Sequence, residues 1–102
     1  MSVSRAFETF AKEAPEQQAA WMDAARKLGS ASTFDEKTRE LAYIAVLAAL
    51  RLESGLPFHV KAARGNGATR DEIISAVLLG LPAAGNAVVQ ALPTALKTFD
   101  EV

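Results

Sequence analysis

Cysteine is absent from this sequence of 102 residues. Disulfides, thiolate metal sites and thiol catalysis are therefore closed to the chain acting alone. A surplus of basic charge is also missing. The formal net charge is −1, so there is no electrostatic case for nucleic acid or for an anionic membrane surface. Aromatic residues are only 7% of the chain although half of it is hydrophobic, and alanine supplies much of the difference. Alanine is the best helix former and lets helices approach closely, so the composition favours an all-helical fold. No apolar run is long enough for a membrane. The longest, Leu41 to Leu50, carries one polar group, the Tyr43 hydroxyl, and falls well short of the roughly 20 residues a spanning helix needs. With no charged-then-apolar leader and no lipidation motif, the expected setting is soluble and cytoplasmic.

What is present reads as a single helical domain over residues 1–102. A domain of this size buries roughly 65% of the surface of its unfolded chain, and its many apolar positions suggest burial against other subunits. Val3, Ala6, Phe7, Phe10 and Ala14 recur at helical spacing and predict a first amphipathic helix. Pro15 fits the first turn of a second. Ala20, Trp21, Ala24, Ala25 and Leu28 line one side of it, and Gly29 can end it. Trp21 and Tyr43 are expected to fill core space with a polar tip at the edge.

Thr33 or Asp35 caps the central helix, which should be buried on nearly every side because its apolar run shows no alternation. Glu40, Ile44, Leu47 and Arg51 share one stripe of it, within about 40° at 100° per residue. Leu56, His59, Val60 and Ala63 share a stripe of the next helix, and Gly65-Asn66-Gly67 closes that helix. Thr69 and Glu72 form a capping box for a fifth, with Ile73, Val77 and Leu81 at fourfold spacing. Pro82 should kink or end it, and a last helix, bent or restarted at Pro93, runs to about Asp100. The expected architecture is a compact bundle of about six helices, with no strand and no internal repeat.

One ordered set of residues is more specific than any of its parts. Asp35-x-Lys37-Thr38-Arg39-Glu40-Leu41, an apolar helix, His59-Val60-x-x-Ala63, and Asn66-Gly67-x-Thr69-x-x-Glu72-Ile73 together resemble the carboxymuconolactone decarboxylase-like family, which includes the alkylhydroperoxidase D proteins. The resemblance covers roughly residues 30–99. It implies an all-helical fold that assembles as homodimers, trimers or hexamers. In the peroxidase branch a Cys-x-x-Cys precedes the histidine and an upstream glutamate helps to activate it. Glu40 and His59 stand at the matching positions, but Leu52 and Gly55 replace the cysteines. A thiol peroxidase needs one thiolate to attack and a second thiol to resolve the product, so that activity is rejected. The lactone decarboxylase branch is the better match. Its reaction, loss of carbon dioxide from a small unsaturated lactone acid, uses no cofactor, and none is expected here, metal included.

Such chemistry asks for cations to hold substrate carboxylates and a positioned group to deliver a proton. His59 is the candidate acid or base, since histidine's ordinary pKa of about 6.5 lies closest to neutrality. Glu40 is its candidate partner, and Arg51, Lys61 and Arg64 are candidate carboxylate holders. Each has a structural reading as well. His59 on an apolar stripe also fits a hydrogen-bonded core histidine. A glutamate opening a helix stabilises the helix dipole without catalytic duty. The three cations also fit a solvated face. Glu53, inside the stretch that holds the cysteines in the peroxidase branch, reads either as a carboxylate replacing the lost chemistry or as an exposed turn residue, and the second reading is preferred.

Geometry argues against a direct pair of Glu40 and His59 within a simple hairpin, and leaves steep crossing of the two helices, a bridging water or a subunit boundary as the ways for them to meet. A straight hairpin turning near Ser54 sets His59 opposite Leu50, about 15 Å along the axis from Glu40 at 1.5 Å per residue. Two functions follow from this reading: a cofactor-free acid/base enzyme on a small carboxylated or lactone substrate, or a binding or structural oligomer that has lost catalysis.

Overall fold

The structure, a computed structural model, describes residues 4–101. Their order is α1 (Arg5–Glu13), α2 (Pro15–Ala31), α3 (Glu36–Ala49), α4 (Leu56–Gly65), α5 (Arg70–Leu78), α6 (Leu81–Ala84) and α7 (Leu92–Glu101), with short 3-10 turns before α4 and before α7. Six of the seven α-helices run nine residues or more, and no strand occurs among the described residues, as the composition predicts. Val3 lies outside the described residues.

Local chemistry sets most of the boundaries. Ser4 caps α1 by accepting from the Phe7 N–H, and Pro15 opens α2. Of the two candidate caps for α3 it is Asp35 that serves, accepting from the Thr38 N–H at 2.8 Å. Thr69 and Glu72 close a reciprocal capping box on α5. Pro82 falls in the first turn of the one-turn α6 rather than inside α5, and α7 restarts at Leu92-Pro93.

Two helix ends use the same reversal. Past α4, the Gly67 and Ala68 N–H groups return to the Arg64 and Ala63 carbonyls, with Gly67 at φ 95°. Past α3, the Arg51 and Leu52 N–H groups return to the Ala48 and Leu47 carbonyls. This pairing satisfies orphan carbonyls with one left-handed residue, normally glycine. At the end of α3 that residue is Arg51, at φ 63°, a conformation that costs a side-chain-bearing residue roughly 1–2 kcal/mol.

The core lies where α3 packs on α4 and α5 and α7 closes over both. Ile44, Leu56, Val60, Ile73, Val77 and Val88 are fully buried there. The expectation that α3 is buried on nearly every side is corrected. Only Ile44, Leu47 and Ala48 are buried, while Tyr43, Val46 and Leu50 emerge on one exposed face. Trp21 is likewise 58% exposed, and neither α1 nor α2 buries a residue. An apolar stripe drives burial, but the stripe does not say whether its partner belongs to the same chain. Leu81, outside α5, is exposed as well, and only Ile73 and Val77 of its expected row enter the core. No single helix among the described residues is long and apolar enough to cross a membrane.

The capping carboxylates make stability acid-sensitive. The Thr38 N–H holds the Asp35 carboxyl below its ordinary value, and the Thr69 N–H, then Lys37, do the same for Glu72. Arg70 does so for Asp100. A carboxylate lowered in the folded state contributes its full share above its unfolded pKa and loses it as pH falls through the folded one. Urea midpoints should therefore hold steady down to about pH 5 and fall steeply below about pH 4. Glu72→Gln should flatten that fall, and an unchanged slope would show that the α5 cap does not carry it.

Candidate functional site

The helix reversal at Arg51 decides what His59 meets. Because the chain turns back at once, Gly55 lies against Leu47, where an added Cβ would sit 3.4 Å from a Leu47 methyl. Counting from that contact, His59 falls level with Tyr43 instead of Leu50. Glu40 is then one helical turn below, about 4.5 Å along the axis at 1.5 Å per residue, which its side chain spans.

The imidazole Nδ1 and the Glu40 carboxylate Oε1 are 2.6 Å apart within a single chain. The straight-hairpin expectation is thereby corrected. It set the turn near Ser54 by counting residues, whereas the left-handed residue puts it at Arg51. A carboxylate only accepts, so Nδ1 carries the proton and donates, which leaves Nε2 as the working nitrogen. The histidine side chain is 25% exposed and the glutamate 15%, so the pair is neither afloat in solvent nor sealed in the core.

Two aromatic rings complete the setting. Tyr43 lies with its ring centroid 4.4 Å from that of the imidazole, and Phe58 stands edge-on to it at 5.1 Å. These two were not assigned a site role from the sequence. The signal was available, since Tyr43 sits one turn from Glu40 and Phe58 precedes the histidine. Tyr43 is 46% exposed, so it walls the imidazole instead of filling the core.

The expected gathering of cations does not form in one chain. Lys61 and Arg64 project roughly 160° and 140° around α4 from His59 at 100° per residue. Lys61 lines a groove of about 500 Å³ with Pro57, Thr94, Lys97, Thr98 and Glu101. Arg64 lies over the Phe99 ring at 5.1 Å, close enough to Asp100 to help lower its pKa. His59 and Arg64 thus flank the buried stripe of α4 on opposite sides, one facing α3 and the other α7. Arg51 stands past the end of α3 in the left-handed turn, so it does not continue the Glu40–Ile44–Leu47 stripe. Glu53 lies in the 3-10 turn, half-buried. A second hollow, of about 250 Å³, is lined by Arg26, Gly29, Glu36 and Arg39. Neither hollow is at the imidazole. Among the described residues no group of three or more histidine, cysteine or acidic side chains is placed to hold a metal ion.

A helical bundle presenting a histidine–carboxylate pair, with no thiol, defines the class. The Carboxymuconolactone decarboxylase family model matches residues 15–97, and the chain belongs to that family. The match begins well before the sequence motifs and takes in the whole of α2. Among solved structures, the apo crystal structure of a carboxymuconolactone decarboxylase family protein from Legionella pneumophila is similar, at 26% identity and a TM-score of 0.79, covering 92% of this chain and 84% of that one. No curated protein matches the sequence.

Proposed function

We propose that the chain is a cofactor-free acid/base enzyme acting on a small carboxylated or lactone substrate, as a single cytoplasmic domain assembled from copies of itself. The observation that carries this reading is the 2.6 Å contact between His59 Nδ1 and Glu40 Oε1. Glu40 fixes the orientation and tautomer of the ring through Nδ1, and Nε2 takes a proton from the substrate or returns one. Tyr43 and Phe58 offer flat apolar walls to an unsaturated ring. In a decarboxylation the C–C bond breaks, carbon dioxide leaves with its two oxygens, and the electron pair stays on the carbon skeleton. Protonated Nε2 then delivers the proton that quenches it. Family membership supports this class of chemistry, and the substrate remains that proposed from the resemblance. Turnover of a small lactone acid by His59→Gln, set against the unaltered protein, tests the reading, and equal rates would remove the histidine from the mechanism.

The second reading, a binding or structural oligomer without catalysis, is favoured by two observations: among the described residues no cation of the same chain meets the imidazole, and neither of the two hollows lies at it. Of the three side chains whose filling of the site would mark a degenerate pocket, Leu56 is fully buried, while Leu52 and Phe58 are half exposed.

A further inference from the structure

The face of α3 that the chain leaves uncovered runs between the two ends of a charge pattern. Tyr43, Val46 and Leu50 lie within about 60° of one another on the helix. They are 46%, 48% and 62% exposed, and Leu52 and Phe58 beside them are 52% and 49% exposed. At the N-terminal end of this strip sits the Glu40–His59 pair; at the C-terminal end sits Arg51. The midpoint between Glu40 and Arg51 falls at Ala45–Val46, in the middle of the exposed residues.

That arrangement is self-complementary. A two-fold interface presents the same patch from both subunits, so residue i meets j and j meets i. Two α3 helices laid antiparallel about Val46 bring each Arg51 level with the other copy's Glu40 and bury both apolar strips. Glu53, in the following turn, comes toward Arg39 of the other copy, so like charges are not set face to face.

Arg51 itself is the second observation. It holds an unfavourable backbone conformation where glycine would rest easily, yet among the described residues its guanidinium makes no hydrogen bond or ion pair. Strain kept at an exposed position without a local contact points to a contact made elsewhere.

We propose that two copies of the chain pair through this strip, and that Arg51 of each supplies the cation missing from the His59–Glu40 pair of the other. There it holds the substrate carboxylate beside Nε2, so each site is completed only by assembly. The role given to the carboxylate rests on the acid/base reading above; the placement of Arg51 does not.

The absence of cysteine makes the placement directly testable. Val46→Cys, on the two-fold axis, should form a disulfide-linked dimer under mild air oxidation with copper–phenanthroline. Mixed Arg51→Cys and Tyr43→Cys proteins should be joined by a short bismaleimide. Lys97→Cys, exposed on α7, serves as the control for both. Linking no better than the control overturns the proposal, and so does a monomer in sedimentation at micromolar concentration. So does a dimer whose Val46→Cys form does not link, since another part of the second copy, such as α2, would then cover the strip.

These readouts need no turnover, so they separate failure of the pairing from failure of the acid/base reading. Where turnover is found, Arg51→Gly, which suits the left-handed turn, should raise KM by about 10–100-fold, as expected for losing a charge-assisted hydrogen bond, with kcat nearly kept. Assayed with substrate well below KM, a mixture of Arg51→Gly and His59→Gln should restore about a quarter of the unaltered rate, because half of the randomly formed dimers regain one of two sites. No recovery on mixing would place Arg51 outside the partner's site and overturn its role there.

Discussion

Exchanging His59 for glutamine is expected to slow turnover of a small lactone acid by about 10²–10⁴-fold, the usual worth of a positioned general acid or base. The fold should survive the change. His59 stands at the edge of the α4 stripe, not within it, and a glutamine amide N–H can still donate to Glu40 Oε1. The loss should therefore appear chiefly in kcat, with an unaltered circular dichroism spectrum. If His59→Gln instead lowers stability and rate together, the pair at 2.6 Å is a structural bond, and the non-catalytic reading gains.

The second large effect concerns the anchor that sets this geometry. Leu56 opens α4, is fully buried, and lies three residues before the histidine. Leu56→Ala should destabilise the fold by about 3 kcal/mol, within the 2–5 kcal/mol typical of emptying a packed site. For a chain of this length that lowers the melting midpoint by on the order of 15 °C. Urea or thermal unfolding at fixed protein concentration reads it, since the proposed assembly would make midpoints concentration-dependent. A loss below about 1 kcal/mol would mean that the site collapses freely and that Leu56 does not fix the register of α4.

The helix boundaries were legible because they are written in local chemistry. Thr69 with Glu72 and Pro15 each act within one turn of themselves, whereas Pro82 sits in the first turn of α6 and α5 has already ended at Leu78. The family, too, was readable, from an order of motifs no single one of which suffices. The register between α3 and α4 was not. It depends on a left-handed residue at position 51, and arginine carries no signature of that conformation as glycine does at 67. The contact between Glu40 and His59 was lost with it. Tyr43 and Trp21 were misplaced for a different reason. Helical periodicity marks a face that wants cover, and the same pattern serves a core or an interface. Lys61 and Arg64 were grouped with His59 by nearness in sequence, although the rotation of α4 carries them toward α7.

The N-terminal pair of helices has a consequence for motion. Neither buries a residue, and an Arg39 guanidinium hydrogen bond of 3.0 Å to the Gly29 carbonyl ties the end of α2 to α3. Such an arm can detach while the bundle beneath it stays closed, so its amides will trade hydrogen with the solvent at far lower free-energy cost than those around Ile44 and Ile73. The molecule is built in two tiers of persistence, and the histidine belongs to the more durable one.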